Sequence, residues 1–283
     1  MIAWLRASVA FVVRVGRTFV ASDGLLHAGT IAYFGLLSIL PFALLAAAII
    51  ARLATGLPGA EGKTAIDQVL DPLQNALPYL TGDVRELIRS LAGTRTSFSI
   101  LSTVLLLLSA TLVFNAIEHG VNAVLRSTER RHFMVTRVMV AGLVVASAAA
   151  LFAWQLLRSL VASWFDRTGL QLPSWLVQGE LIQLVFSLGV LAVGFYVLVK
   201  VMSVERYSRG DRWIGAGVFA GLFQLAHLGL ETYLSHVVKL EKLYGTAGAF
   251  FGLILWLYVA AIVFLVSCSV IRAISEIRSE PKV

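Results

Sequence analysis

The chain has 283 residues, of which 58% are hydrophobic and 14% charged, with a mean hydropathy of +0.85. Soluble domains run at about 45–50% apolar and about 25% charged, so this balance excludes an ordinary soluble protein and predicts a polytopic membrane protein. The net charge of +7 is spread over many short flanks. A nucleic-acid surface would gather it on one face with interleaved aromatics, so the charge argues against nucleic acid and for membrane lipids as partners.

The first residues, MIAWLRASVAFVVRVGRTFV, are apolar but interrupted by Arg6, Arg14 and Arg17. A secretion signal keeps its charge ahead of an unbroken apolar stretch, so residues 1–22 are expected to form an amphipathic helix lying in the membrane interface. Six apolar runs follow, at 28–51, 97–118, 135–163, 179–200, 213–235 and 246–271. Each has the length of about 20 residues that crosses a hydrocarbon core of roughly 30 Å. Such runs are too long and too evenly apolar for barrel strands. The expected fold class is therefore all-α, with six transmembrane helices in a single membrane domain over 1–283.

In the first span, HAGTIAYFGLLSILPFALL, Pro41 stands mid-helix and removes the hydrogen bond to the Leu37 carbonyl, with Ser38 placed to supply a substitute. The pair predicts a hinge or a cavity wall. The long segment 52–96 carries Ile66, Val69, Leu70, Leu73 and Leu77 at helical spacing. Val84, Leu87, Ile88 and Leu91 repeat it beyond Pro78 and Gly82. Two short amphipathic helices are expected there at the outer leaflet, either as a cap on the bundle or as a cover that moves.

Two spans carry polar stripes. In the second, Thr111, Asn115, Glu118, His119, Asn122 and Arg126 share an arc of about 100°. In the fifth, Gln224, His227 and Glu231 fall within about 60°, and Gly217, Ala220 and Ser235 continue that face, which is expected to pack inward or line a cavity. Two readings stand for both stripes: hydrogen bonds that join helices, or a substrate or proton pathway built on ionisable groups. Gly245, Gly248 and Gly252 in the last span form a small-residue face for close helix packing, within the chain or in a homo-oligomer.

An even number of spans puts both termini on one side. The termini and even-numbered loops hold 14 of the 23 Lys and Arg residues, and the short loops decide orientation, so both termini are expected in the cytoplasm. There is no phosphate-binding Gly loop, paired-Cys site, HExxH or GxSxG, and the five histidines are scattered. Cys268 is the single cysteine, which precludes an intramolecular disulfide. No catalytic residue, metal or cofactor is expected, and the chain does not read as an enzyme.

Ala28, Ala32, Tyr33, Leu36, Leu37, Ser38 and Pro41 follow the pattern A-x-x-x-A-Y-x-x-L-L-S-x-x-P. Together with Glu118 and Asn122, Gly215-Ala216, Tyr244-Gly245 and Trp256-Leu257-Tyr258, they make the chain resemble the YihY/BrkB family of bacterial inner-membrane proteins from about residue 20 to 273. Two places depart from that family: Leu125 where an aromatic is usual, and Ser267-Cys268-Ser269 where Gly-Ala-Glu is usual. The family has carried ribonuclease BN, virulence and transport labels. The first fits poorly here, because no metal cluster or RNA-holding domain is legible. The resemblance and the stripes lead to the expectation of an inner-membrane transport protein. It would move a lipid-linked, anionic or small solute through a cavity between the first, second and fifth spans. The alternative is an envelope or scaffold protein whose stripes only join helices.

Overall fold

The structure is a computed structural model that describes residues 2–54, 97–126, 142, 180–202, 207–233 and 247–279. The described elements are helices: α1 (Ile2–Ala21), α2 (Gly24–Ala54), α3 (Ser97–Leu125), α4 (Glu180–Met202), α5 (Arg209–Thr232) and α6 (Ala247–Ser279). No strand occurs among the described residues. A helix closes its backbone hydrogen bonds within one segment, which is what an apolar run in lipid requires. Among the described residues, three stretches are long and apolar enough to cross a membrane: Gln183–Met202, Arg209–Thr232 and Phe251–Ser279.

Five of the six expected runs fall on α2 to α6. The third, 135–163, lies outside the described residues apart from Gly142, as do the two short helices expected in 52–96, Gly245, and the side chains of Pro41 and its neighbours. The helical boundaries differ from the hydropathic ones. Helix α3 continues to Leu125 rather than 118, α5 begins at Arg209 rather than 213, and α6 reaches Ser279 rather than 271. Hydropathy marks the part of a helix that lipid tolerates, whereas backbone hydrogen bonding continues past it wherever polar side chains find partners.

Hydroxyls inside the helices are satisfied locally. Thr30, Ser187, Thr232, Ser267 and Ser269 each donate to a carbonyl three or four residues earlier, at 2.7–3.0 Å. Ser38 does the same, donating to the Gly35 carbonyl at 2.7 Å rather than to the Leu37 carbonyl expected from the Pro41 argument. This back-bonding is how Ser and Thr sit in an apolar helix without an unpaired donor.

The chain divides into two compact units, one of Met1–Gly24, Gly120–Leu225 and Val263–Val283, the other of Leu25–His119 and Ala226–Ile262. In the first unit, α1 lies against α6: Val15 packs with Val270 and Ala273, and Phe11, Val218, Val266 and Ile274 close around them. Phe195, Phe219 and Phe264 tie α4, α5 and α6 together, with ring centroids 4.8–6.0 Å apart. Gly215 lets α5 approach α6 so closely that a Cβ there would run into the Ile271 side chain.

Helices α1 and α2 are joined by Ser22 and Asp23 alone. Asp23 has φ 50°, and its N–H donates to the Val20 carbonyl at 3.1 Å. Aspartate tolerates this left-handed geometry better than most residues. Gly24 follows with the Phe19 ring directly beside its Cα, where no side chain fits.

In the second unit, Ala28 and Ala32 are buried on one face of α2, with Gly29 beside Tyr258 and Gly35 beside Leu257 of α6. Small residues at this spacing bring helices into close contact, while Tyr33 and Leu37 point outward. Gly252 is buried.

Candidate functional site

The most connected polar cluster lies where α5 begins. Ser208 caps the helix: its Oγ accepts the Asp211 N–H at 3.1 Å, and its carbonyl accepts the Arg212 N–H at 3.2 Å. Asp211 is only 2% exposed, in the first turn, where the positive end of the helix dipole favours a carboxylate. Arg278, from the end of α6, donates to Ser208 Oγ at 2.8 Å and stands 2.9 Å from Asp211 Oδ1. That second contact is one of charge, since Oδ1 is buried and takes no hydrogen bond.

Arg212 is buried too, and both its Nε and Nη2 donate to the Tyr207 carbonyl, at 3.2 and 2.7 Å. The Tyr207 hydroxyl donates to the Leu125 carbonyl at 2.7 Å, and Arg272 Nη1 donates to the Val124 carbonyl at 3.0 Å while its Nε holds Glu276 at 2.8 Å. These two carbonyls are among the last of α3, which have no partner inside the helix. Arg126, at φ 50°, then turns the chain away. Three helix ends are thus fastened by Tyr207, Ser208, Asp211, Arg212, Arg272 and Arg278. In the sequence these arginines stand out only as basic flanks, whereas the S-x-x-D spacing of Ser208 and Asp211 is a signal for a helix cap.

The residues expected to form a pathway are placed less uniformly. On α5, Gln224 and His227 are half-buried and Glu231 is exposed, so the stripe runs along the edge of the buried face rather than wholly inward. The His227 ring meets Trp256 edge-on at 5.4 Å. On α3, His119 is exposed, with its Nδ1 2.7 Å from the Asn115 carbonyl of its own helix. Asn115 and Glu118 are half-buried, Arg126 is exposed, and Asn122 is half-buried with a buried Oδ1 that has no hydrogen-bond partner. Among the described residues no three His, Cys, Asp or Glu side chains come together as a metal site would need.

Residues 15–282 match the virulence factor BrkB family. The chain belongs to that family. The BrkB-family relatives it resembles include three UPF0761 membrane proteins. That of Alkalilimnicola ehrlichii is 25% identical over 280 residues, covering 96% of this chain and 60% of the relative. That of Pseudoalteromonas translucida is 26% identical over 250 residues, covering 88% and 80%. That of Halorhodospira halophila is 25% identical over 252 residues, covering 89% and 54%. The chain therefore spans a little over half the length of two of these relatives. No solved structure matches it.

Within this BrkB chain the two departures noted in the sequence have a structural setting. Leu125 is 2% exposed, and Ser267, Cys268 and Ser269 are fully buried. Ser267 and Ser269 turn their hydroxyls onto the carbonyls of Val263 and Leu265. A neutral, self-satisfied segment fills the place where the resemblance implies a carboxylate.

Proposed function

We propose that this BrkB-family membrane protein is a transporter of the bacterial inner membrane, with both termini in the cytoplasm and no enzymatic step. It moves a lipid-linked, anionic or small solute along the polar side of α5. The supporting observation is Glu231, a carboxylate exposed on a membrane-length helix, one turn beyond His227 and two beyond Gln224. Among the described residues no cation pairs with it. An ionisable group in a span is costly unless it meets water, substrate or a charge partner, so it defaults to a pathway role. In this reading His227 and Glu231 bind or relay at one end, and Asn115, Glu118, His119, Asn122 and Arg126 on α3 serve as the cytoplasmic mouth. Ser38 and Pro41 supply the bend that opens it.

Purified protein in liposomes tests this by flux of a labelled anionic lipid and of protons. Glu231→Gln and His227→Ala are expected to lower flux about tenfold or more, the usual scale for loss of a proton-transfer group. Unchanged flux in both variants removes the α5 stripe from the pathway. A second reading, a scaffold that transports nothing, is favoured by the bond from His119 to its own helix, which satisfies a stripe residue locally. Absence of flux in the unmodified protein decides for it.

A further inference from the structure

Helix α1 has three distinct sides. Thr18 and Phe19 are buried together with Val15, which packs on Val270 and Ala273 of α6. Val9, Val12, Val13 and Val20 are 61%, 67%, 47% and 68% exposed, and at 100° per residue they share one arc of about 100°. Arg17, exposed, and Arg14, half-buried, occupy the next sector, three residues apart and so on one face.

Only one environment suits all three sides at once. The valine face would be costly against water, and the arginine sector would be costly among acyl chains, whereas the boundary between acyl chains and phosphates serves both. A second copy of α1 is a poor occupant. The helix carries arginines and no acidic residue, so copies repel, and four valines are far short of the roughly 800 Å² per partner that a stable interface buries.

From this arrangement we infer that α1 is a binding surface for anionic phospholipids of the leaflet in which it lies. Its valine face sits among the acyl chains, and Arg14 and Arg17 hold the headgroup phosphate of an anionic lipid. Docking on α6 fixes the helix in register with a membrane-spanning post, so the lipid contact is made by a rigid edge of the protein. The inference is independent of whether α5 carries a solute.

The test is native mass spectrometry of the full chain extracted with equimolar phosphatidylglycerol and phosphatidylcholine. The unmodified protein is expected to retain phosphatidylglycerol preferentially. Arg17→Gln should reduce that preference about fivefold, the equivalent of about 1 kcal/mol per basic residue near an anionic surface, and adding Arg14→Gln should reduce it further. Arg17→Lys keeps the charge and should keep the preference. Val12→Ser should lower retention of both lipids and leave their ratio unchanged. Because Arg17 is exposed, its replacement leaves the fold intact, so the single variant carries the test if the double variant is unstable. Equal retention of the two lipids by the unmodified protein, or a preference that survives Arg17→Gln, overturns the inference. Competition by inorganic phosphate at equal concentration would also overturn it, by identifying a free-phosphate site.

Discussion

The two ends of α5 place ionisable groups on the same apolar helix in opposite ways. At the first end Asp211 and Arg212 are buried and engaged. The carboxylate sits at a helix N-terminus beside Arg278, and the guanidinium makes two bonds to one carbonyl. About 30 Å along the axis from Asp211, at 1.5 Å per residue, Glu231 is exposed, and one turn before it His227 has an aromatic edge for company. Burial with partners makes a charge into a fastening, because removing either partner leaves the other stranded. Exposure leaves a charge able to bind something else. Polar residues in a membrane helix are thus sorted by what satisfies them rather than by their identity.

Substitutions sharpen that contrast. The largest loss is expected for Arg212→Ala, which removes two charge-assisted hydrogen bonds and exposes the Tyr207 carbonyl inside the protein. A cost of about 3 kcal/mol should appear as a lowered unfolding midpoint in detergent. A smaller effect, about 1 kcal/mol in the same measurement, is expected for Tyr207→Phe, which deletes the single bond to the Leu125 carbonyl and little volume. Glu231→Gln should fall within about 0.5 kcal/mol of the unmodified protein, as at other exposed positions. A destabilisation by Glu231→Gln as large as that of Arg212→Ala would erase the distinction between the two ends.

Much of the helical framework was legible in the sequence, because a lipid-crossing helix must be long and apolar whatever it packs against. The ends were less so. The run on α3 was expected to stop where Glu118 and His119 begin, yet the helix continues to Leu125 because Tyr207 and Arg272 supply donors for its last carbonyls. Those donors lie 82 and 148 residues away along the chain, beyond the reach of any local pattern. For the same reason Arg272 and Arg278 read as orientation charges, although they are also structural donors. The α5 stripe was legible as an arc of Gln224, His227 and Glu231. Its exposure was not, since helical periodicity tells which residues share a side but not what that side meets.

Ser267-Cys268-Ser269 has a practical corollary. The chain's one thiol is enclosed on every side in α6, closed to water-borne reagents while the protein is folded. A maleimide that cannot cross membranes therefore finds no background target. A cysteine introduced at an exposed site such as Arg17 or Glu231 can be assigned to one face of the bilayer in intact cells, without first removing the native thiol.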